Sequence, residues 1–195
     1  MERLGRFLRL IRTHRMIIVI TLPHFFDGEA EQIAQLLRRG DIDLIHLRKP
    51  QATRDELEEL IRTIPEELHQ HLVLHDHHTL AVSYQLKGIH LNSRNPYPPE
   101  GWKGQVSISC HSLEELAEKK RHPFTYLSLS PIFDSISKQG YHSAFTIEDM
   151  AKAHEEGIID HRVMALGGIT FDKIPLIQQM GFGGAMILGD AWKQY

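Results

Sequence analysis

A single cysteine, Cys110, stands among the 195 residues, so no internal disulfide can form, and this usage suits a reducing cytoplasm. No apolar run approaches the roughly 18 to 20 residues that a membrane span needs. Neither sign of charge dominates: 22 Lys and Arg face 25 Asp and Glu, a net charge of -3. Without a basic stripe, nucleic acid is disfavoured as a partner. A local excess of positive charge lies in the first fifteen residues, MERLGRFLRLIRTHR, where arginines recur among leucines as on a basic amphipathic helix. Those arginines interrupt what would have to be the continuous apolar core of a signal peptide. Residues 1–15 therefore read as a solvated extension, with a surface-lying helix as the alternative, and residues 16–195 as one domain.

What the chain has is a steady alternation of strand-like and helix-like segments. MIIVIT from Met16 is a buried strand, and Glu29 to Arg39 places Ile33, Leu36 and Leu37 on one helical face. Strands follow at Asp43 to Arg48, His71 to Asp76, Gly88 to Leu91, Gln105 to Ser109 and Thr125 to Ser130. Thr53 with Glu56, and Ser112 with Glu115, have the spacing of capping boxes that open helices. After the fourth strand, NSRNPYPPEGWKG is rich in proline and glycine and reads as loop where a full unit would carry a helix. A long loop, PIFDSISKQGYHSAF, precedes a helix from about Thr146 to Glu156.

The last stretch, RVMALGGITFDKIPLIQQMGFGGAMILGD, holds two further strands that open onto Gly167, Gly168 and Gly189. Unhindered backbone N–H groups there can cradle a phosphate, as in the final two units of many barrels. Eight βα units at this spacing predict a small α/β protein, a (β/α)₈ barrel, rather than an open doubly wound sheet. A last helix beginning near Asp190 has barely two turns, too few to cover its strand. That missing cover suggests a partner surface, with a homo-oligomer left open, or a shortened chain.

On barrels the reacting groups gather where the strands end. The residues placed there are His46, Arg48, His75, Asp76, Asn92, Asn95, Ser109 and His111. With them come Ser135, Ser137 and Lys138 of the long loop, and Gly167, Gly168, Leu188 and Gly189. This set is cationic and rich in imidazole, which suits an anionic substrate and proton transfer. The run His75-Asp76-His77-His78 invites a metal reading, but neighbouring strand residues point to opposite faces. At most alternate members could share an ion, and a solvated loop is the plainer expectation.

LIHLRKP, SISCHSLEEL, LSPIFDSISK, MALGGIT and GFGGAMIL, in this order over nearly the whole chain, resemble the thiamine phosphate synthase and TenI superfamily. The resemblance implies a small barrel of vitamin B1 biosynthesis that binds a thiazole phosphate, in the cytoplasm. Its synthases join a pyrimidine pyrophosphate to that thiazole with Mg²⁺, using Gln-Phe-Arg-Glu-Lys at the second strand and two metal-binding aspartates. Here that strand reads His46-Leu47-Arg48-Lys49-Pro50; Asp76 matches the first aspartate and Asn95, beside Arg94, the second. A neutral amide holds Mg²⁺ far less well than a carboxylate.

The TenI branch shares the barrel without that machinery, and the resemblance implies a cofactor-free tautomerase that aromatises a thiazole carboxylate phosphate. Its proton-transferring histidine matches His111. Ser137, Lys138, Gly168 and Gly189 would hold the phosphate, and Arg48 would pair with the substrate carboxylate. A TenI-like tautomerase is thus the expectation. The alternatives are a Mg²⁺-dependent synthase using Asp76, a non-catalytic binder and, further off, a metal-dependent barrel hydrolase.

Overall fold

The structure is a computed structural model that describes residues 15–133 and 145–192. Eight parallel strands close into a barrel in sequence order: β1 (Met16–Ile20), β2 (Leu44–Leu47), β3 (Leu72–Leu74), β4 (Gly88–Leu91), β5 (Gln105–Cys110), β6 (Tyr126–Leu129), β7 (Val163–Ala165) and β8 (Gly184–Ile187). The α-helices among the described residues are α1 (Glu29–Arg38), α2 (Arg54–Thr63), α3 (Thr79–Ser83), α4 (Leu113–Lys119), α5 (Ile147–Glu155) and α6 (Ile174–Gln179). As expected, no helix stands between β4 and β5, and among the described residues β8 is followed by a 3₁₀ turn, Gly189–Trp192. Trp192 Nε1 donates to the Ile20 carbonyl at 2.7 Å, which ties that turn to the first strand.

Both faces of each strand are covered, so most strands read as continuous apolar runs. Outward residues such as Val19, Ile45, Leu47 and Leu74 pack beneath α1 and α2, while Leu127, Leu129, Val163 and Ala185 pack beneath α5 and α6. Inward residues Ile18, Ile20, Leu44, Val73, Tyr126, Met164 and Met186 fill the barrel. Glycine is needed where β8 begins. A Cβ on Gly183 would lie 1.8 Å from the His161 carbonyl oxygen, and one on Gly184 would lie 2.0 Å from that of Met16.

Thr53 and Glu56 close a full capping box on α2, an arrangement whose cap is worth about 1 kcal/mol. The second expected box is only half formed: Ser112 Oγ accepts from the Glu115 N–H, but the Glu115 carboxylate accepts from the N–H of His111, one residue earlier. Thr146 and Asp149 form a further box on α5. The expected basic helix at the N-terminus lies outside the described residues. Arg15, the last residue of that arm, donates to the Phe182 carbonyl at the foot of β8.

Candidate functional site at the barrel mouth

Strand alternation decides which polar side chains reach the carboxyl-end mouth. On β5, Ser107 and Ser109 point inward; the next residue of that parity is His111, at the rim and exposed. Its Nδ1 lies 3.3 Å from the Ser130 carbonyl oxygen and 3.2 Å from Ser130 Oγ. A carbonyl can only accept, so in the neutral ring that contact places the hydrogen on Nδ1 and leaves the Nε2 lone pair as a base. Across the mouth, Gly167 (φ 95°) and Gly168 (φ 61°) turn the chain after β7. A Cβ on Gly167 would meet Pro131 Cα at 2.7 Å, so this glycine lets the loops after β6 and β7 touch. Those loops are joined by Ile132 N–H to the Leu166 carbonyl and Phe133 N–H to that of Gly167. Leu188 is partly buried, and no heavy atom lies within 4 Å of where a Gly189 Cβ would sit.

Lys173, which sequence reasoning passed over, donates to the Gly168 carbonyl at 2.6 Å and adds a cation beside the glycines. Its place five residues after Gly168, at the start of the following helix, was the available signal. Ser135, Ser137 and Lys138 lie outside the described residues.

Arg48 continues the inward parity of His46, and its backbone N–H donates to Thr21 Oγ1 at 2.9 Å. Its charge bears on both His75 and His90. Lys49 has the opposite parity. Its side chain is 0% exposed, with Nζ 2.6 and 2.8 Å from the two carboxylate oxygens of Glu29, itself 2% exposed, and 2.6 Å from the His24 carbonyl. Burial pushes the Glu29 carboxyl up and the Lys49 ammonium down, and each group restrains the shift of the other. Lys49 therefore belongs to the wall behind β2 and is not a free cation at the mouth.

Asp76 is likewise engaged. Arg94 Nε and Nη2 donate to its Oδ1 at 3.1 and 3.0 Å, Nη2 also reaches Oδ2 at 3.1 Å, and Asn95 Nδ2 donates to Oδ1 at 2.8 Å. Asn92 Oδ1 accepts the N–H groups of Arg94 and Asn95, which holds the loop after β4 in this position. A Mg²⁺ ion needs oxygen donors in near-octahedral array. Here the Asp76 carboxylate is covered by a guanidinium and an amide N–H₂, so this arrangement does not fit Mg²⁺.

Two expectations need correction. His46 is not on the rim: it is 0% exposed inside the barrel, with Nε2 2.6 Å from Tyr126 Oη and Nδ1 2.9 Å from His75 Nε2. The segment from His75 to His78 is not a solvated loop either, since His75, Asp76 and His78 are all buried. His75 turns to the barrel interior, while His77 bonds the Ala52 carbonyl. The inward parity shared by His46, His75 and His90 on successive strands was the signal that could have grouped them.

A profile of the TMP-TENI family, described as thiamine monophosphate synthase, matches residues 17–189. The chain belongs to this family. It is an enzyme family of thiamine biosynthesis, and the closed barrel is the fold its members share. A thiamine-phosphate synthase of Syntrophomonas wolfei is 27% identical over 158 residues, 77% of this chain and 75% of that protein. One of Photorhabdus laumondii is 26% identical over 166 residues, 80% and 75% of the two chains. Among solved structures, a thiamine phosphate pyrophosphorylase from Bacteroides thetaiotaomicron is 42% identical and superposes with a TM-score of 0.83, covering 92% of this chain and 86% of that one. No helix among the described residues is long and apolar enough to cross a membrane.

Proposed function

We propose that the barrel binds a thiazole phosphate and moves a proton on its ring, as a thiazole tautomerase with His111 as the acid–base group. The observation that carries this reading is the engagement of the groups a pyrophosphate–metal mechanism would require. Asp76 is covered by Arg94 and Asn95, Lys49 is sealed against Glu29, and Pro50 holds the position of the synthase lysine. Proton transfer needs none of these. His111 Nε2 takes the proton from the ring carbon, and the imidazolium returns it at the neighbouring position as the ring becomes aromatic. Ser109, Ser135, Ser137, Lys138, Gly167, Gly168, Leu188 and Gly189 would hold the phosphorylated arm, and Arg48 would pair with the carboxylate. Such a downhill isomerisation needs no cofactor, and a positioned acid–base group supplies about 10²- to 10⁴-fold.

The names of the relatives favour a second reading, the thiamine-phosphate synthase itself, and on names alone it is the better backed of the two. That reaction would require Arg94 to leave Asp76 before Mg²⁺ could be held. One experiment separates the readings. The protein is given the thiazole tautomer, with aromatisation followed by ultraviolet absorbance, and separately the pyrimidine pyrophosphate and thiazole phosphate with Mg²⁺. Aromatisation that falls by about 10²-fold or more in His111→Gln supports the tautomerase. Thiamine phosphate formation, with aromatisation no faster than in buffer, establishes the synthase; binding without either reaction leaves a non-catalytic binder.

A further inference from the structure

Beneath the mouth, three successive strands bring three imidazoles together that neither reading above employs. His46 on β2, His75 just past β3 and His90 on β4 are 0%, 6% and 1% exposed. One ring nitrogen from each lies within 4.8 Å of the other two. The rings of His75 and His90 stack with centroids 4.3 Å apart, and His46 meets them at 5.1 and 5.3 Å. Burying three polar rings in a barrel otherwise filled by Ile18, Ile20, Val73, Met164 and Met186 is costly unless their nitrogens are used.

We propose that His46, His75 and His90 form a binding site for a first-row divalent metal ion, zinc foremost, with its open coordination position on the side of Ser109. Zinc–imidazole bonds of 2.0–2.1 Å set ligand nitrogens about 3.3 Å apart in a tetrahedron. The His46 Nδ1 to His75 Nε2 separation is 2.9 Å, and no separation in the trio exceeds 4.8 Å, so modest ring rotations reach that geometry. The outer groups are those a ligating histidine needs to fix its ring. His46 Nε2 faces Tyr126 Oη at 2.6 Å, and His90 is bracketed by Ser107 Oγ and Ser109 Oγ at 2.8 Å each. Whichever His90 nitrogen binds the ion, the other keeps a hydroxyl partner. Ser128 Oγ donates to Ser109 Oγ at 3.3 Å and extends that shell.

The donor set also indicates the kind of ion. Imidazole suits zinc, copper, nickel and iron, whereas Mg²⁺ and Ca²⁺ take oxygen ligands. A neutral imidazole offers one lone pair to a metal, and burial among apolar side chains favours the neutral form of all three rings. No carboxylate belongs to the trio, so a bound ion would keep its double charge. The Arg48 guanidinium bears on His75 and His90 and opposes that charge, while attracting an anion as the remaining ligand. Close by, His78 Nε2 is buried without a hydrogen-bond partner.

The test uses the full chain, stripped with a chelator and titrated with Co²⁺ in the absence of substrate, so its outcome is independent of the reaction catalysed. The expected result is the intense visible d–d absorption of a four-coordinate nitrogen site, abolished by one equivalent of Zn²⁺ per chain. His75→Gln and His90→Gln should each weaken Co²⁺ binding by at least about 100-fold. His122→Gln, which alters an exposed histidine bonded to Glu118, should leave the titration unchanged and so exclude that surface histidine. A weak six-coordinate spectrum in the wild type would overturn the proposal, as would undiminished binding in the two trio variants. If either variant fails to fold, the wild-type spectrum and the Zn²⁺ competition decide by themselves.

Discussion

Replacing Lys49 with methionine removes one partner of an ion pair that is 0% and 2% exposed. The Glu29 carboxylate, with Nζ at 2.6 and 2.8 Å, would lose its counter-ion in a site where burial already raises its pKa, and the His24 carbonyl would lose its donor. Breaking a buried pair in this way costs about 3–5 kcal/mol, because the remaining carboxyl must stay charged without compensation or take up a proton. The expected result in urea unfolding is therefore a midpoint lowered at nearly constant slope, since the surface exposed on unfolding is unchanged. Adding Glu29→Met removes the stranded charge and should return stability to within about 1 kcal/mol of the wild type, or above it. Affinity for thiazole phosphate in the folded double variant should match the wild type, because Lys49 lies behind β2. A loss below about 1 kcal/mol in the single variant would refute the claim that the pair is dry. Stability retained with affinity lost would place Lys49 at the ligand and restore the pyrophosphate clamp.

Other outcomes follow from the same geometry. His90 is held near pKa 3 by burial and regains about 6.5 when unfolded, so the unfolded chain binds the extra proton between those values. Its contribution is intact above about pH 6.5 and is lost as pH falls, by about 2 kcal/mol at pH 5. Metal-free urea titrations from pH 8 to 5 should show this slope, and a flat profile would contradict it. Gly183→Ala should cost about 3 kcal/mol or more, since its Cβ meets backbone at 1.8 Å, whereas Gly189→Ala, in open space, should keep the melting temperature and weaken phosphate binding. Arg94→Ala should free Asp76 at a stability cost below about 1 kcal/mol, the Arg94 side chain being 48% exposed. Millimolar Mg²⁺ should then raise the melting temperature of the variant more than that of the wild type; equal shifts would mean that the guanidinium does not exclude the ion.

The barrel was legible because its signals are local. Apolar runs of strand length, Thr53 and Glu56 at cap spacing, and the proline-rich segment after Leu91 each act over a few residues, and they placed every strand within a few positions. The half-formed box at Ser112 shows the limit of such signals: the Glu115 carboxylate had two N–H groups within reach and took that of His111. The rim residues His111, Gly167 and Gly168 were also found, because position at a strand end is a sequence property once the strands are known. His46 was placed at the rim because depth along β2 was not carried through: Arg48, two residues on with the same inward parity, comes nearer the mouth, and His46 is left buried inside the barrel.

By itself the sequence determined the alternation of eight βα units, the missing fourth helix, the glycine-lined end of the barrel and a histidine at the rim of β5. Those depend on propensity, period and capping, which act along the chain. Tertiary structure decided which side chains meet across it: Asp76 with Arg94, Lys49 with Glu29, and His46 with His75 and His90. Those pairings are set by barrel closure and strand register, which bring together residues 18 to 44 positions apart and let burial select their partners.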